Sequence, residues 1–369
     1  MSGALLQGGA LKANSFCREI ATGAIGHQLW PTGTALCQTG LPVYRDGVNN
    51  IFSADPVPSR GPLAFGVPLV VLWLAGELAL IAAEDRFVNA AAESKLPRGG
   101  GFAAKFKADA NLASHGAVIF ADDFEQGELG ARWEGKGNPK SKALSLTAAG
   151  GGVCGARCMK VEARLGENQG DGLTKWFEPV PQVFVRFYVK FDPGCDYVHH
   201  FVTLRANKGL QGGDKWSGFG GAGLRPEGDE RFSTALEPWG NWGRWPAPGK
   251  WNFYSYWHEM KVSPDGKFWG NSFQVEPQEA IVKDRWICAE FMLKENTPGQ
   301  PDGEQAFWIE GRLLGHWRGL NWRKTATLRA NALTLESYVT DRWTENPTNI
   351  VFFDNLVIAK EYIGPAGRE

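Results

Sequence analysis

Val183-Phe184-Val185-Arg186-Phe187-Tyr188-Val189-Lys190-Phe191 alternates without a break. Successive side chains of a strand point to opposite faces, so Val183, Val185, Phe187, Val189 and Phe191 form one apolar row. Phe184, Arg186, Tyr188 and Lys190 form the other. Asp192-Pro193-Gly194 ends the run with residues that favour a turn. Segments of the same kind recur at 199–204, 231–236, 252–261, 285–294, 305–310, 332–339 and 350–359. Pro226-Glu-Gly228, Pro264-Asp-Gly266 and Pro301-Asp-Gly303 punctuate them. No long stretch keeps helical spacing, and no solenoid or propeller period is present. The pattern predicts an all-β fold, a two-sheet antiparallel β-sandwich of jelly-roll type over residues 118–365.

The remaining sequence leaves room for an N-terminal extension, because the chain has 369 residues. Hydrophobic residues at 43% and charged residues at 21% exclude a wholly disordered chain. Lys and Arg number 39 against 40 Asp and Glu, so no basic excess points to nucleic acid or an anionic bilayer. Residues 1–59 show no sustained period and read as an unstructured extension, untranslated if synthesis starts downstream of Met1. Residues 60–83 run apolar from Gly61 to Ala83 behind Arg60, broken by Pro68 and Glu77. Two readings compete there, a signal peptide and a membrane anchor helix, and Glu77 weighs against the anchor because a carboxylate is costly in hydrocarbon. Residues 84–117 are rich in Ala, Gly and Lys and read as a linker. The signal reading predicts a secreted or periplasmic monomer that meets a membrane only through the apolar run, if that run is uncleaved.

Cleavage after the run would leave Cys154, Cys158, Cys195 and Cys288. Cys154 and Cys158 lie in a Gly-rich stretch and are expected to close a small disulfide in an oxidising compartment, with free thiols as the alternative. A zinc site would want a second closely spaced pair, and none follows, so no metal is expected.

Twelve of the 16 tryptophans fall between Trp216 and Trp343. Several cluster in Glu237-Pro-Trp239-Gly-Asn-Trp242-Gly-Arg-Trp245-Pro-Ala-Pro-Gly-Lys-Trp251. Any one of these rings reads first as core. The loop as a whole is expected to offer a sugar-stacking ring at Trp239 or Trp242, with Glu237 bonding hydroxyls.

Asn252-Phe-Tyr254-Ser-Tyr256-Trp-His258-Glu-Met260 carries the densest chemistry. Spacing by two puts Tyr254, Tyr256 and His258 on one strand face. Arg231 and Ser233 share a face in the same way, whereas only one of His199 and His200 can look into a given cleft. Nucleotide cofactors lack support, since no Gly-x-Gly-x-x-Gly follows a strand and no Walker loop occurs. His-Glu-x-x-His and Gly-x-Ser-x-Gly are absent. Absence of a Glu-x-Asp-x-Glu strand demotes hydrolysis, although Glu237, Glu259, Glu290 and Glu336 could pair across strands.

The segments 185–192 and 212–231, the pair Tyr254-Ser-Tyr256 and the closing Phe353-Asp-Asn-Leu-Val-Ile358 resemble the concanavalin A-like jelly-roll superfamily. Within it the chain is similar to polysaccharide lyases of the alginate and glucuronan type, family fourteen and its neighbours, and to related exported bacterial proteins. The resemblance implies cofactor-free β-elimination on a uronate-containing polysaccharide. The family's Tyr-x-Tyr pair matches Tyr254 and Tyr256, and Arg231 with Ser233 match its Ser/Arg pair in reversed order. Where the family carries a Lys, this chain reads Thr203-Leu204-Arg205-Ala206. We expect Tyr256 as general acid/base and Tyr254 as a positioning or second proton-transfer group. Arg231 and His200 would neutralise the uronate carboxylate, and His258 would complete the set. Ser233, Arg225, His199, Glu237, Trp239, Trp242, Arg186 and Tyr188 are the expected substrate contacts. The alternatives are a non-catalytic glycan-binding jelly roll and a glycoside hydrolase with an unrecognised carboxylate pair.

Overall fold

The computed structural model describes residues 87–138, 140–209 and 215–367. The extension 1–59 and the apolar run 60–83 lie outside the described residues. Among those described, fourteen strands, β1–β14 in chain order, build two antiparallel sheets, and the helical residues lie in short 3₁₀ turns such as Phe102–Lys105 and Leu112–Ser114. No helix among them is long and apolar enough to cross a membrane.

The first sheet contains β1 (Val118–Asp122), β2 (Leu144–Thr147), β3 (Cys158–Arg164), β5 (Gln182–Phe191), β10 (Ile287–Lys294), β11 (Gly303–Ile309), β12 (Arg312–Leu320) and β14 (Thr348–Ala359). Its order is β12-β11-β10-β5-β14-β3-β2, with β1 also on β14. The second contains β4 (Gly170–Trp176), β6 (Val202–Asn207), β7 (Arg231–Trp239), β8 (Lys250–Tyr256), β9 (Asn271–Gln274) and β13 (Arg329–Tyr338), ordered β4-β13-β6-β7-β8-β9. The two-sheet sandwich expected from the alternation is what forms.

The first apolar row of β5 is fully buried between the sheets, facing Val202, Leu204, Phe232, Leu236 and Phe253. Aromatic rings fill the interior at contact distance, among them Phe187, Phe201, Trp251 and Phe353. Trp257, Trp308, Trp317 and Trp322 are fully buried and fill the interior with large apolar volumes. Removing this much apolar surface from water is the main force that holds the sheets together.

The linker expected over 84–117 is corrected for its described part. Phe87 packs against Trp257 and Phe273 of the main core. From Ala91 onward the segment packs on the outer face of the first sheet, where Ala91, Phe102, Ala103, Leu112 and Ala117 join Phe184, Met292, Trp308, Val357 and Tyr362 in a second buried cluster. The reason lies in the sheet. Its outward row is itself apolar and needs a cover, and the 87–117 segment supplies one. Trp308 Nε1 donates to the Pro97 carbonyl at 2.7 Å, and the Tyr362 hydroxyl donates to the Gly99 carbonyl at 2.8 Å. Gly364, at φ +72°, lets the C-terminal strap lie against this cover, since a Cβ there would stand 2.1 Å from the Gly101 nitrogen.

Arg186 and Tyr188 belong to this covered face, which removes them from any substrate contact. The Arg186 guanidinium is fully buried against the Asp109 carboxylate, and the Tyr188 hydroxyl accepts a hydrogen bond from the Ala366 amide at 2.9 Å. The expected disulfide does not form either. Cys154 and Cys158 are not bonded to each other. Cys158 opens β3 with its Sγ 3.6 Å from the Thr147 carbonyl, and burial pushes its thiol up to about 11.

Candidate active site

Strands β6, β7 and β8 turn their apolar side chains inward, so the alternate residues must face outward from the second sheet. Register then fixes which of them meet. Arg205, Ser233 and Tyr256 form one cross-strand row, Thr203, Ala235 and Tyr254 the next, and Glu237 stands opposite Asn252 beyond them. A one-residue slip would bury Arg205 and both tyrosines in the core, so packing enforces the register. The rows floor a cleft of about 130 Å³ lined by His200, Arg205, Arg231, Ser233, Tyr254 and Tyr256, with Gly218, Gly220 and Ala222 along one side.

The Tyr254 and Tyr256 hydroxyls are 3.3 Å apart. Burial raises both phenols above their ordinary value. Their mutual hydrogen bond raises Tyr254 further but lowers Tyr256, and the Arg231 guanidinium also favours ionisation of Tyr256. Tyr256 is therefore the phenol of the pair that ionises more readily, with Tyr254 donating to its oxygen. Both rest protonated, because burial outweighs the effect of Arg231.

Arg231 donates to the Leu224 carbonyl at 3.0 Å and stands 3.7 Å from Glu230. Arg205 donates to Thr334 Oγ1 and to Glu336 on β13, each at 3.2 Å. His200 lines the cleft in a left-handed backbone conformation, φ +53°, its ring centroid 5.1 Å from that of Tyr338 and 6.1 Å from that of Tyr254. Burial first, then His199 and Arg205, hold it well below the ordinary imidazole value. The role of cationic neutraliser expected for His200 is thus corrected. The ring is neutral at physiological pH and can serve only as a hydrogen-bonding group, while Arg205 supplies the second cation.

Glu237 is buried beside its cross-strand partner Asn252, and its carboxyl is raised to about 8, by burial and then by Glu336. Since Glu336 has Arg205 as a partner, the proton resides on Glu237. Of the other carboxylates weighed from sequence, Glu290 lies on the opposite sheet and accepts from the Ile363 and Gly364 amides. Glu259 accepts from the Asn321 amide at 2.9 Å.

Besides Arg186 and Tyr188, several expected site residues stay outside the cleft, Glu237 among them. β8 ends at Tyr256, so the alternation does not carry through to His258, which packs against Gly228. Arg225 is exposed and lies over the Phe268 ring at 5.2 Å. His199 donates its backbone amide to the Tyr338 carbonyl, with its ring edge-on to Tyr338 and its pKa lowered to about 4 by burial. Trp239 and Trp242 sit at the far end of the same sheet, their centroids 5.5 Å apart.

Sequence reasoning passed over Arg205 and Tyr338 as site residues. The signal was available, because Val202-Thr-Leu-Arg-Ala206 alternates apolar with polar and places Thr203 and Arg205 on the outer face.

No family model matches the chain, and a search of curated proteins finds no match. Among solved structures, the fold is similar to an alginate lyase from Aplysia kurodai, at 13% identity and TM-score 0.45 over 59% of this chain and 87% of that one. It is similar to an alginate lyase from a Chlorella virus, at 17% identity and TM-score 0.44 over 59% and 89%. It is also similar to an endo-β-1,4-glucuronan lyase from Trichoderma reesei, at 11% identity and TM-score 0.39 over 66% and 95%.

Proposed function

We propose that this protein is a polysaccharide lyase that cleaves a uronate-containing polymer by β-elimination. The observation that carries the reading is the hydrogen-bonded Tyr254–Tyr256 pair facing the same cleft as Arg205 and Arg231. The C5 proton of a uronate is only weakly acidic, and removing it places charge on the adjoining carboxyl group. A cation beside that carboxyl stabilises the charge, and both arginines are at hand. Tyr256, ionised in the reactive state and held by Tyr254, takes the C5 proton. The C5–H electron pair becomes the C4–C5 double bond, the C4–O bond breaks, and a phenol returns a proton to the departing oxygen. Neutral His200 supports the reading as a hydrogen-bonding group that adds no charge. A polymer of this kind is met outside the cell, so the same proposal places the protein there.

A panel of uronate polymers, including polymannuronate, polyguluronate and polyglucuronate, tests the proposal by ultraviolet absorbance of the unsaturated product. New absorbance that disappears in Tyr256→Phe supports it. Binding without absorbance would leave a glycan-binding protein, and new reducing ends without absorbance would indicate hydrolysis.

A further inference from the structure

We propose that Trp242 and Trp343 form a separate sugar-stacking subsite, which holds a distal ring of the polymer while the tyrosine cleft acts. This inference rests on the lyase reading and adds a chain-length requirement to it. Trp242 is 61% exposed, although indoles are ordinarily drawn toward the interior. It is also held in the left-handed region at φ +60°, between Asn241 at +47° and Gly243 at +81°. A bulky residue in that region is strained, so the tip combines strain with an indole left largely in solvent.

The tip is nevertheless built firmly. The Trp242 centroid is 4.9 Å from that of Trp343, and the Trp239 ring stands edge-on at 5.5 Å. Tyr197 clamps both loops. Its hydroxyl donates to the Trp245 carbonyl, and its own carbonyl accepts from Thr344 Oγ1, each at 2.6 Å. The Arg342 guanidinium lies 4.7 Å from the Trp343 ring centroid, beside the apolar surface, where a uronate carboxylate would need a counter-charge. A pyranose with a carboxylate suits this combination of exposed indole and adjoining guanidinium. From Tyr256 to Lys250, the cross-strand partner of Trp239, six residues of strand span about 20 Å. Only a chain of several sugars reaches from one site to the other.

Affinity electrophoresis of the full chain in gels containing polyguluronate, polymannuronate, polyglucuronate or neutral hydroxyethylcellulose tests this, on a Tyr256→Phe background that leaves the polymer intact. Trp242→Ala is expected to weaken retardation by a uronate polymer about tenfold, the effect of uncovering one indole face. Trp242→Phe, which preserves a ring and guards against misfolding of the loop, is expected to recover most of it. Trp242→Ala retarded as strongly as its parent overturns the subsite alone, as does equal retardation by the neutral polymer. A parent retarded by none of the uronate polymers overturns the subsite and the lyase reading together.

Discussion

Tyr254 and Tyr256 share one hydrogen bond across 3.3 Å, and it acts in opposite directions on them, holding the Tyr254 proton on and easing the Tyr256 proton off. The two phenols are therefore not interchangeable. Tyr256→Phe is expected to lower the elimination rate by about 10²–10⁴-fold, the usual contribution of a general acid–base group. Tyr254→Phe leaves the base in place without its donor. A smaller loss is expected, together with an ascending limb of the pH–rate profile displaced to higher pH, because the Tyr254 hydrogen bond no longer lowers Tyr256. Rate measurements from pH 6 to 10 on both variants separate these outcomes.

Arg205 has two available tasks, since it pairs with Glu336 and faces the cleft. If it binds the uronate carboxylate, Arg205→Met is expected to lower kcat/KM about 10- to 100-fold, and Arg205→Lys to recover part of that. A purely structural role would be relieved by adding Glu336→Gln, which removes the stranded carboxylate. Persistent loss in the double variant is the expected result, read from steady-state kinetics.

Glu237 gives a pH dependence of stability with a definite sign. Its folded pKa of about 8 lies above the ordinary 4.5, so between those values the folded protein holds a proton that the unfolded chain has released. Its contribution to stability falls as pH rises through that window and is flat on either side. Glu237→Gln removes the dependence. Urea denaturation is expected to find the variant more stable than the parent at pH 8, by on the order of a few kcal/mol, and close to it at pH 4.

The sandwich was legible because alternation has a period of two and β5 keeps it for its whole length. The tyrosine pair, Arg231 and Ser233 were legible for the same reason, as strand neighbours two apart. His258 misled because the strand stops two residues earlier, and no local residue pattern marked that end. His200 misled differently, because its charge depends on burial by Tyr338 and Tyr254, which are distant in sequence. Arg186 was expected as a substrate contact, but its neighbour Phe184 and the facing Met292 and Trp308 make that face apolar. Only the assembled sheet reveals that residues 87–117 must cover it.

That cover is held electrostatically as well as by packing. Arg186 is fully buried, with Asp109 as its carboxylate partner, and the Asn355 amide donates to the same carboxylate at 2.9 Å. The guanidinium cannot shed its proton, so removal of Asp109 leaves a charge stranded between the sheet and its cover. Asp109→Ala is expected to destabilise the folded protein by about 3–5 kcal/mol. Replacing both partners, as Arg186→Met with Asp109→Leu, is expected to recover much of that loss, because burying a matched apolar pair carries no uncompensated charge. The cleft lies on the other sheet, so the surviving folded fraction of each variant should retain its specific activity. Denaturant titration gives the first comparison, and activity normalised to folded protein gives the second. A single variant as stable as the parent would show that the 87–117 segment is held by its apolar contacts alone.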